Sequence, residues 1–382
     1  MTSKALEPFG TSVFSVISAL ARETGAINLA QGFPDFDGPD WIQDAAREAM
    51  RRGHNQYAIS HGSTHLREAV ARDVERLYGL AYDPEREITA TTGATEGIAA
   101  ALLGHLDPGD EVLTFEPYYD SYPACAAMAG ARLRAVPLRP PHFGFDSAEL
   151  RDAFTKRTRI FLLNTPHNPT GRVFTPKECQ EVVDLCRAHD CLLVTDEVYE
   201  HLTFGGHRHT TPASLDKEVT IRISSAAKTF SLTGWKVGWA CAPAAATEGL
   251  RRAHQFLVFC TASPLQEAIA VALDEAPGRG YYEDLRAAYT ERRAALLAAL
   301  DCAGFRAVPP EGTYFVMADY TRLGSEDDED FVRRLIDERG VAAIPPRSFY
   351  EHPEHGRGLL RFAFCKEVET LTAAGERLRR NL

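Results

Sequence analysis

The chain has 382 residues, 45% hydrophobic and 25% charged, with a formal net charge of −11 at pH 7. Such a length and composition suit a globular protein of two domains, or one large α/β body with a smaller lobe. The acidic balance argues against a nucleic-acid binder, which needs a basic face. No apolar run approaches the ~18 residues of a membrane span, and the start MTSKALEPFGTSVF has no apolar signal core. The eight cysteines form no CxxC pair, so a reducing, cytoplasmic setting without disulfides or a structural metal is expected.

In chain order, the first forty residues show no strand–helix rhythm of their own and are expected to pack on a smaller lobe. From residue 41, WIQDAAREAMRRG (41–53) and STHLREAVARDVERLYG (63–79) have the spacing of amphipathic helices, with Gly53 and Gly79 as stops. Strand-length apolar runs follow: EVLTF (111–115), ARLRAVPL (131–138), RIFLLN (159–164), CLLVT (191–195), VTIRIS (219–224) and KVGWACA (236–242). Helical patterns such as TPKECQEVVDLCRAH separate most of them. This alternation predicts an α/β fold with a mostly parallel central sheet flanked by helices. KVGWACA comes too soon after VTIRIS for a full crossover, so it can run antiparallel. After the long helix YYEDLRAAYTERRAALLAAL, the segments FRAVPPEGTYFVMADY, DFVRRLIDERGVAAIPP and LLRFAFC read as a smaller α/β lobe. The expected division is a terminal segment over 1–40, a large domain over 41–283 and a small domain over 284–382. The acidic run at 326–330 reads as a solvated loop or helix start.

In open parallel sheets, ligands bind at the carboxyl ends of the strands. EVLTF is followed by Glu-Pro-Tyr118-Tyr119 and RIFLLN by Thr-Pro-His-Asn168-Pro-Thr-Gly. CLLVT leads to Asp196-Glu-Val-Tyr199, and VTIRIS to Ser225-Ala-Ala-Lys228. Aromatic, amide, carboxylate, phenol and amine groups thus converge on one edge. A flat, electron-poor ring bearing a phosphate and an aldehyde needs such a set: an amine for the aldehyde and an acid for the ring nitrogen. The glycine turn of ATTGATEGIAAALLGHL adds a helix start suited to an anion. Taken alone, that turn is equally an ordinary helix start capped by Thr92 or Thr95.

The segments NLAQGFPDF, NQYAISHG, TTGATEG, LNTPHNPTG, VTDEVYEHL, SSAAKTFSLTGWKVGW and LRFAF together resemble the class I/II aminotransferases of fold type I, across nearly the whole chain. KTFSLTGWKVGW and FLLNTPHNPTGRVF are most similar to the branch of kynurenine and glutamine transaminases (cysteine-conjugate β-lyases) and methionine aminotransferases. The resemblance implies pyridoxal 5'-phosphate as cofactor, with Lys228 as its Schiff-base lysine and Asp196 as partner of the ring nitrogen. It implies Tyr199 and Asn168 at the ring oxygen, and Tyr119 stacked on the ring. Gly93, Ala94, Thr95, Ser225 and Lys236 would meet the phosphate, and Tyr57 would reach the partner's site in a homodimer. Arg361 would clamp the substrate carboxylate, Gly32 would allow close approach to it, Asn168 would also face the substrate, and Phe14 would line the side-chain pocket. No metal is implied, and the Asn168–Pro169 bond is expected cis.

Two departures stand out: Lys236 where many members carry arginine, and Ala30 where glycine is frequent. The implied reaction moves the α-amino group of a large neutral or aromatic amino acid (glutamine, methionine, kynurenine or phenylalanine) to a 2-oxo acid by ping-pong exchange. Phe259 is expected as a second pocket wall, and no second arginine is assignable to a distal carboxylate. Alternatives are cysteine-S-conjugate β-elimination, or aspartate or other specificity on the same fold. A cofactor-sensing regulator would need a DNA-binding segment upstream, for which the thirty residues before NLAQGF are too few. A nicotinamide enzyme would need a GxGxxG turn after its first strand.

Overall fold

A computed structural model describes residues 2–379 of the chain. Its strands, in order, are β1 (Ile27–Asn28), β2 (Ile88–Thr91), β3 (Glu111–Glu116), β4 (Arg132–Pro137), β5 (Thr158–Asn164) and β6 (Leu192–Asp196). They continue with β7 (Thr220–Ser225), β8 (Gly238–Cys241), β9 (Arg306–Ala307), β10 (Phe315–Asp319), β11 (Val341–Ala342) and β12 (Leu359–Ala363). Seven of them form the central sheet in the order β2-β8-β7-β6-β5-β3-β4. Its pairs are parallel except those made by β8, which runs antiparallel to both β7 and β2. The antiparallel course allowed by the short crossover is the one found.

The inner strands are continuous apolar runs because both of their faces are covered; Phe161, Leu162 and Leu163 of β5 are all fully buried. Helix Pro176–Ala188 shows how local sequence sets an element. Thr175 and Glu178 form a reciprocal capping box with proline in the first turn. Its buried residues Cys179, Val182, Val183 and Cys186 recur at helical spacing and face the sheet. Helix Gly93–His105 has no polar face, since it lies between the sheet and helix Ala244–Leu257. The two helices meet through glycines: a Cβ at Gly104 would stand 2.3 Å from the carbonyl oxygen of Gly249.

Beyond the central sheet, β12-β10-β9 form a three-stranded antiparallel sheet, and β1 pairs in parallel with β11. Ile17, Ala21, Leu29 and Ala30 share one core with Val341, Ile344 and Phe362. The long helix Tyr281–Cys302 begins in the stretch where the boundary between lobes was expected. Asp327, within the acidic run, caps helix Asp328–Arg334 by accepting from the Asp330 N–H.

Several elements escaped the sequence reading, among them three near the site. The N-terminal region does carry a helix, Val13–Thr24, bounded by Ser12 and a left-handed Gly25. It is only three turns long, with Val13, Val16, Ile17, Leu20 and Ala21 at helical spacing. Strand β2 is four residues long and runs straight into the glycine turn. Helix Ser121–Met128 consists mostly of small side chains and gives no polar–apolar contrast.

Candidate active site

Strand register brings the polar groups together. Asn164 at the end of β5 lies opposite Asp196 at the end of β6, and Ser225 at the end of β7 lies opposite Gly238 of β8. Above these ends sits a cavity of about 310 Å³. Lys228, Asp196, Tyr199, Asn168, Tyr119 and Ser225 line it, as do Gly93, Ala94, Thr95 and Lys236. So do Gly32, Phe14 and Arg361, contributed by the N-terminal segment and by β12. Of the residues singled out in the sequence, Tyr57 and Phe259 do not line it. Their rings meet edge to face at 5.1 Å on the surface, where Tyr57 is 82% exposed. Phe259, expected as a wall, thus lies outside the cavity of its own chain, on the same face as Tyr57.

Lys228 sits on the single helical turn Ala226–Thr229 that follows β7. Its Nζ has one long hydrogen bond, to the Gly32 carbonyl at 3.4 Å, and lies 5.6 Å and 5.9 Å from the Tyr314 and Tyr199 ring centres. Loss of solvent lowers its pKa to about 8; the positive charges of Lys236 and Arg361 push the same way, while Asp196 opposes them. Its Gly32 acceptor is shared with the Tyr314 hydroxyl, at 2.6 Å.

Asp196 is buried, and burial raises its pKa against the hydrogen bonds it accepts. Its Oδ2 accepts from the Tyr122 hydroxyl at 2.6 Å, and Oδ1 accepts from the Val198 N–H at 3.4 Å. Asn164 ties the neighbours together: its amide donates to the Asp196 carbonyl at 2.8 Å, and its oxygen accepts from the Asn168 N–H at 2.6 Å. The Asn168–Pro169 bond is cis.

Helix Gly93–His105 opens at the cavity without a side-chain cap. Thr92, one of the residues expected to cap it, instead pairs with the Thr261 hydroxyl at 3.2 Å. The first-turn N–H groups of a helix have no intrahelical partner, so this end can receive an anion. Two glycines make the close fit possible. Gly93 has φ +74° and leaves room for Lys236, whose Nζ would stand 3.1 Å from a Cβ there. A Cβ at Gly238 would lie 2.8 Å from the Gly93 carbonyl carbon and 3.0 Å from the Ala94 nitrogen.

Arg361 is 1% exposed. Nη1 donates to Asn168 Oδ1 at 3.1 Å and Nη2 to the Ala30 carbonyl at 2.8 Å, while Nε has no partner. It forms no ion pair with any described residue, and its guanidinium lies 4.0 Å from the Phe315 ring centre and 4.9 Å from that of Phe14. A buried cation without a counter-charge is costly unless a ligand supplies one.

Sequence reasoning missed Tyr122, Asn164, Tyr314 and Phe315. Asn164 lies inside a stretch already noted, LNTPHNPTG, and Tyr122 lies three residues beyond Tyr119. The register of β5 against β6 brings Asn164 to Asp196, whereas Tyr122 reaches it from helix Ser121–Met128.

Comparison with known proteins agrees with this architecture. The family aminotransferase class I and II matches residues 24–378. The chain is 46% identical to a probable N-succinyldiaminopimelate aminotransferase of Mycobacterium tuberculosis, covering 99% of this chain and 98% of that one. It is 41% identical to the methionine aminotransferase of Escherichia coli, over 98% and 97% of the two chains. The solved structure of N-succinyldiaminopimelate aminotransferase from M. tuberculosis superposes with a TM-score of 0.96 at 46% identity, covering 99% of both chains. The chain belongs to the class I and II aminotransferases. It is a transaminase of fold type I, in a family whose members use pyridoxal 5'-phosphate.

Proposed function

We propose that this enzyme binds pyridoxal 5'-phosphate in the cavity beside Lys228 and takes the α-amino group from a large uncharged or aromatic amino acid, passing it to a 2-oxo acid. Charge carries this reading. The cavity holds Lys228, Lys236 and Arg361 without an ion-pair partner among the described residues, against the single carboxylate of Asp196. That excess suits two anions: a phosphate at the uncapped helix start and a substrate carboxylate at Arg361. The donor set fits the cofactor as well, with an amine of lowered pKa, a buried acid and a tyrosine and an asparagine near both.

When bound, the cofactor supplies an electron-withdrawing ring that stabilises the electron pair left at the substrate Cα and carries the amino group between the two half-reactions. The protein's own groups do the rest. Lys228 would anchor the cofactor and, once freed, hold and move the Cα proton at Nζ, a role suited to a pKa near neutrality. Asp196 would keep the ring nitrogen protonated, Asn168 and Tyr199 would bind the ring oxygen, and Tyr119 would cover the ring face. Gly93, Ala94, Thr95, Ser225 and Lys236 would take the phosphate. Arg361 would orient the substrate carboxylate, with Gly32 allowing its approach. Phe14 and Phe315 would exclude water beside it.

The choice of donor rests on the lining. Apart from those three cations, the cavity walls near Arg361 are Phe14, Gln31, Phe33 and Phe315, with no second arginine. A long uncharged side chain fits there better than a distal carboxylate.

A homodimer follows the same reading, with Tyr57 serving the partner's phosphate. Phe256 (85% exposed), Ile59, Leu257 and Phe259 are exposed large apolar side chains alongside Tyr57. A cytoplasmic setting agrees with eight unpaired cysteines, most of them buried. No helix among the described residues is long and apolar enough to cross a membrane. We divide the chain functionally into the terminal segment 1–40, a cofactor-binding domain 41–283 and a small domain 284–382.

The test is spectroscopic. Cofactor-loaded protein should absorb visible light, and the band should fade on addition of glutamine, methionine, kynurenine or phenylalanine. It should return with a 2-oxo acid, and Lys228→Ala should abolish turnover. N-succinyldiaminopimelate and aspartate belong in the same panel. If either is much preferred, the donor assignment fails, and pyruvate with ammonia released without an oxo acid would point to β-elimination.

A further inference from the structure

Tyr122 lies on helix Ser121–Met128, a fully buried side chain among Ile98, Leu102, Val112 and Cys125. Nothing in its sequence context marks it as functional, yet it touches two of the residues assigned above to the cofactor ring. Its hydroxyl donates to Asp196 Oδ2 at 2.6 Å, and its ring meets Tyr119 edge to face at 5.7 Å. The other oxygen, Oδ1, has only the Val198 N–H at 3.4 Å.

We propose that Tyr122 is a positioning residue for transamination: its phenol pins one oxygen of Asp196, leaving the other to meet the cofactor ring, and gives the buried carboxylate its one strong hydrogen bond. The inference rests on the cofactor role assigned to Asp196 above. The physical reason is that a carboxylate stripped of water needs short donors to stay ionised. The groups acting on Asp196 are few. Tyr122 and the Val198 N–H donate to it, Lys228 is the nearby cation, and Glu197 is a like charge. Removing the phenol therefore deletes the strongest hydrogen-bond support and leaves a weak one. The carboxyl should then accept a proton more readily and lose its fixed orientation.

The experiment compares wild type, Tyr122→Phe, Asp196→Asn and a protein carrying 3-fluorotyrosine at position 122 alone. In cofactor-free protein, difference infrared spectroscopy follows protonation of the Asp196 carboxyl, identified by its disappearance in Asp196→Asn. Tyr122→Phe should raise the protonation midpoint by about one pH unit. The more acidic fluorinated phenol should lower it, an opposite pair of shifts that a merely packing role would not produce. Titration of the cofactor should show about tenfold weaker binding in Tyr122→Phe, and in the loaded enzyme kcat should fall while the KM for the amino donor stays put. The proposal is overturned if both variants keep the wild-type midpoint, a readout that the fluorinated protein provides even if Tyr122→Phe does not fold. It is also overturned if Asp196→Asn weakens cofactor binding and Tyr122→Phe does not. If Asp196→Asn itself binds cofactor as wild type does, the assignment of Asp196 fails, and the role of Tyr122 with it.

Discussion

Arg361 on β12 and Asn168 in the loop after β5 form a hydrogen-bonded pair, Nη1 to Oδ1 at 3.1 Å, across the mouth of the cavity. The contact joins the C-terminal sheet to the central one, and Arg361 Nε remains without a partner. Replacing Arg361 with lysine keeps the charge and loses the planar fork. The expected result is a kcat/KM for the amino donor about 10- to 100-fold lower, mostly through KM, as hydrogen bonds to charged groups are worth about 1.5–3 kcal/mol. Steady-state kinetics with saturating cofactor decides it.

Lys228 sets a pH dependence of stability in the cofactor-free protein. Its folded pKa of about 8 lies below the ordinary 10.5. Between those values the unfolded chain binds more protons, so stability rises with pH across that window. Denaturant midpoints should climb from pH 8 towards 10 more steeply in wild type than in Lys228→Met. Parallel curves would contradict the lowered pKa.

Phe256 offers the cleanest handle on assembly, being 85% exposed and outside the cavity. Sedimentation should give wild type twice the chain mass. Phe256→Asp should yield the single-chain mass and lose roughly tenfold or more in activity, because central aromatic anchors dominate interfaces. Unchanged mass in the variant would remove this face from the dimer.

Gly238→Ala introduces a methyl group 2.8 Å from the Gly93 carbonyl carbon. Its neighbours, the Gly93 carbonyl carbon, Ser224 carbonyl oxygen and Ala94 nitrogen, are all backbone atoms, so no side chain can swing aside. The expected cost is about 1–3 kcal/mol in unfolding free energy, together with weaker cofactor binding, both measurable on purified protein.

Beneath Asp196, the buried Arg222 is paired with Glu197 and Glu200, and Tyr78 donates to Glu200 at 2.5 Å. Removing Glu200 leaves Arg222 paired with Glu197 but takes the acceptor from Arg222 Nη2 and from the Tyr78 and Ser224 hydroxyls. With buried donors left unpaired at about 1–3 kcal/mol each, Glu200→Ala should destabilise the fold by about 3 kcal/mol or more in denaturant titrations, and a smaller loss would mean that the cluster relaxes by admitting water.

Much of this was legible in the sequence. The apolar runs marked the inner strands because burial on both faces leaves few polar residues to break the pattern, Arg222 of β7 among them. Lys228, Asp196, Asn168 and Arg361 were legible because each sits in an extended motif, three of them just past a strand end. Helix Ser121–Met128 was not, since a short helix of mostly small residues carries little periodic contrast; helix Val13–Thr24 does have helical apolar spacing, at Val13, Val16, Ile17 and Leu20, and was overlooked. Tyr122 and Asn164 stayed hidden for a different reason. Their importance comes from which atom they touch, and that is decided by strand register for Asn164 and by the packing of helix Ser121–Met128 for Tyr122. Phe259 lies outside the cavity of its own chain, against Tyr57.

The insertion of β8 between β2 and β7 has a kinetic consequence. The uncapped helix start after β2 and Ser225 after β7 are distant in sequence and meet only across Gly238. Until that long-range pairing forms, the phosphate site proposed for the cofactor is not assembled, and non-local strand pairing is the slow step in folds of this kind. Added cofactor should therefore retard unfolding while leaving the refolding rate almost untouched, because its grip arises after the barrier has been crossed.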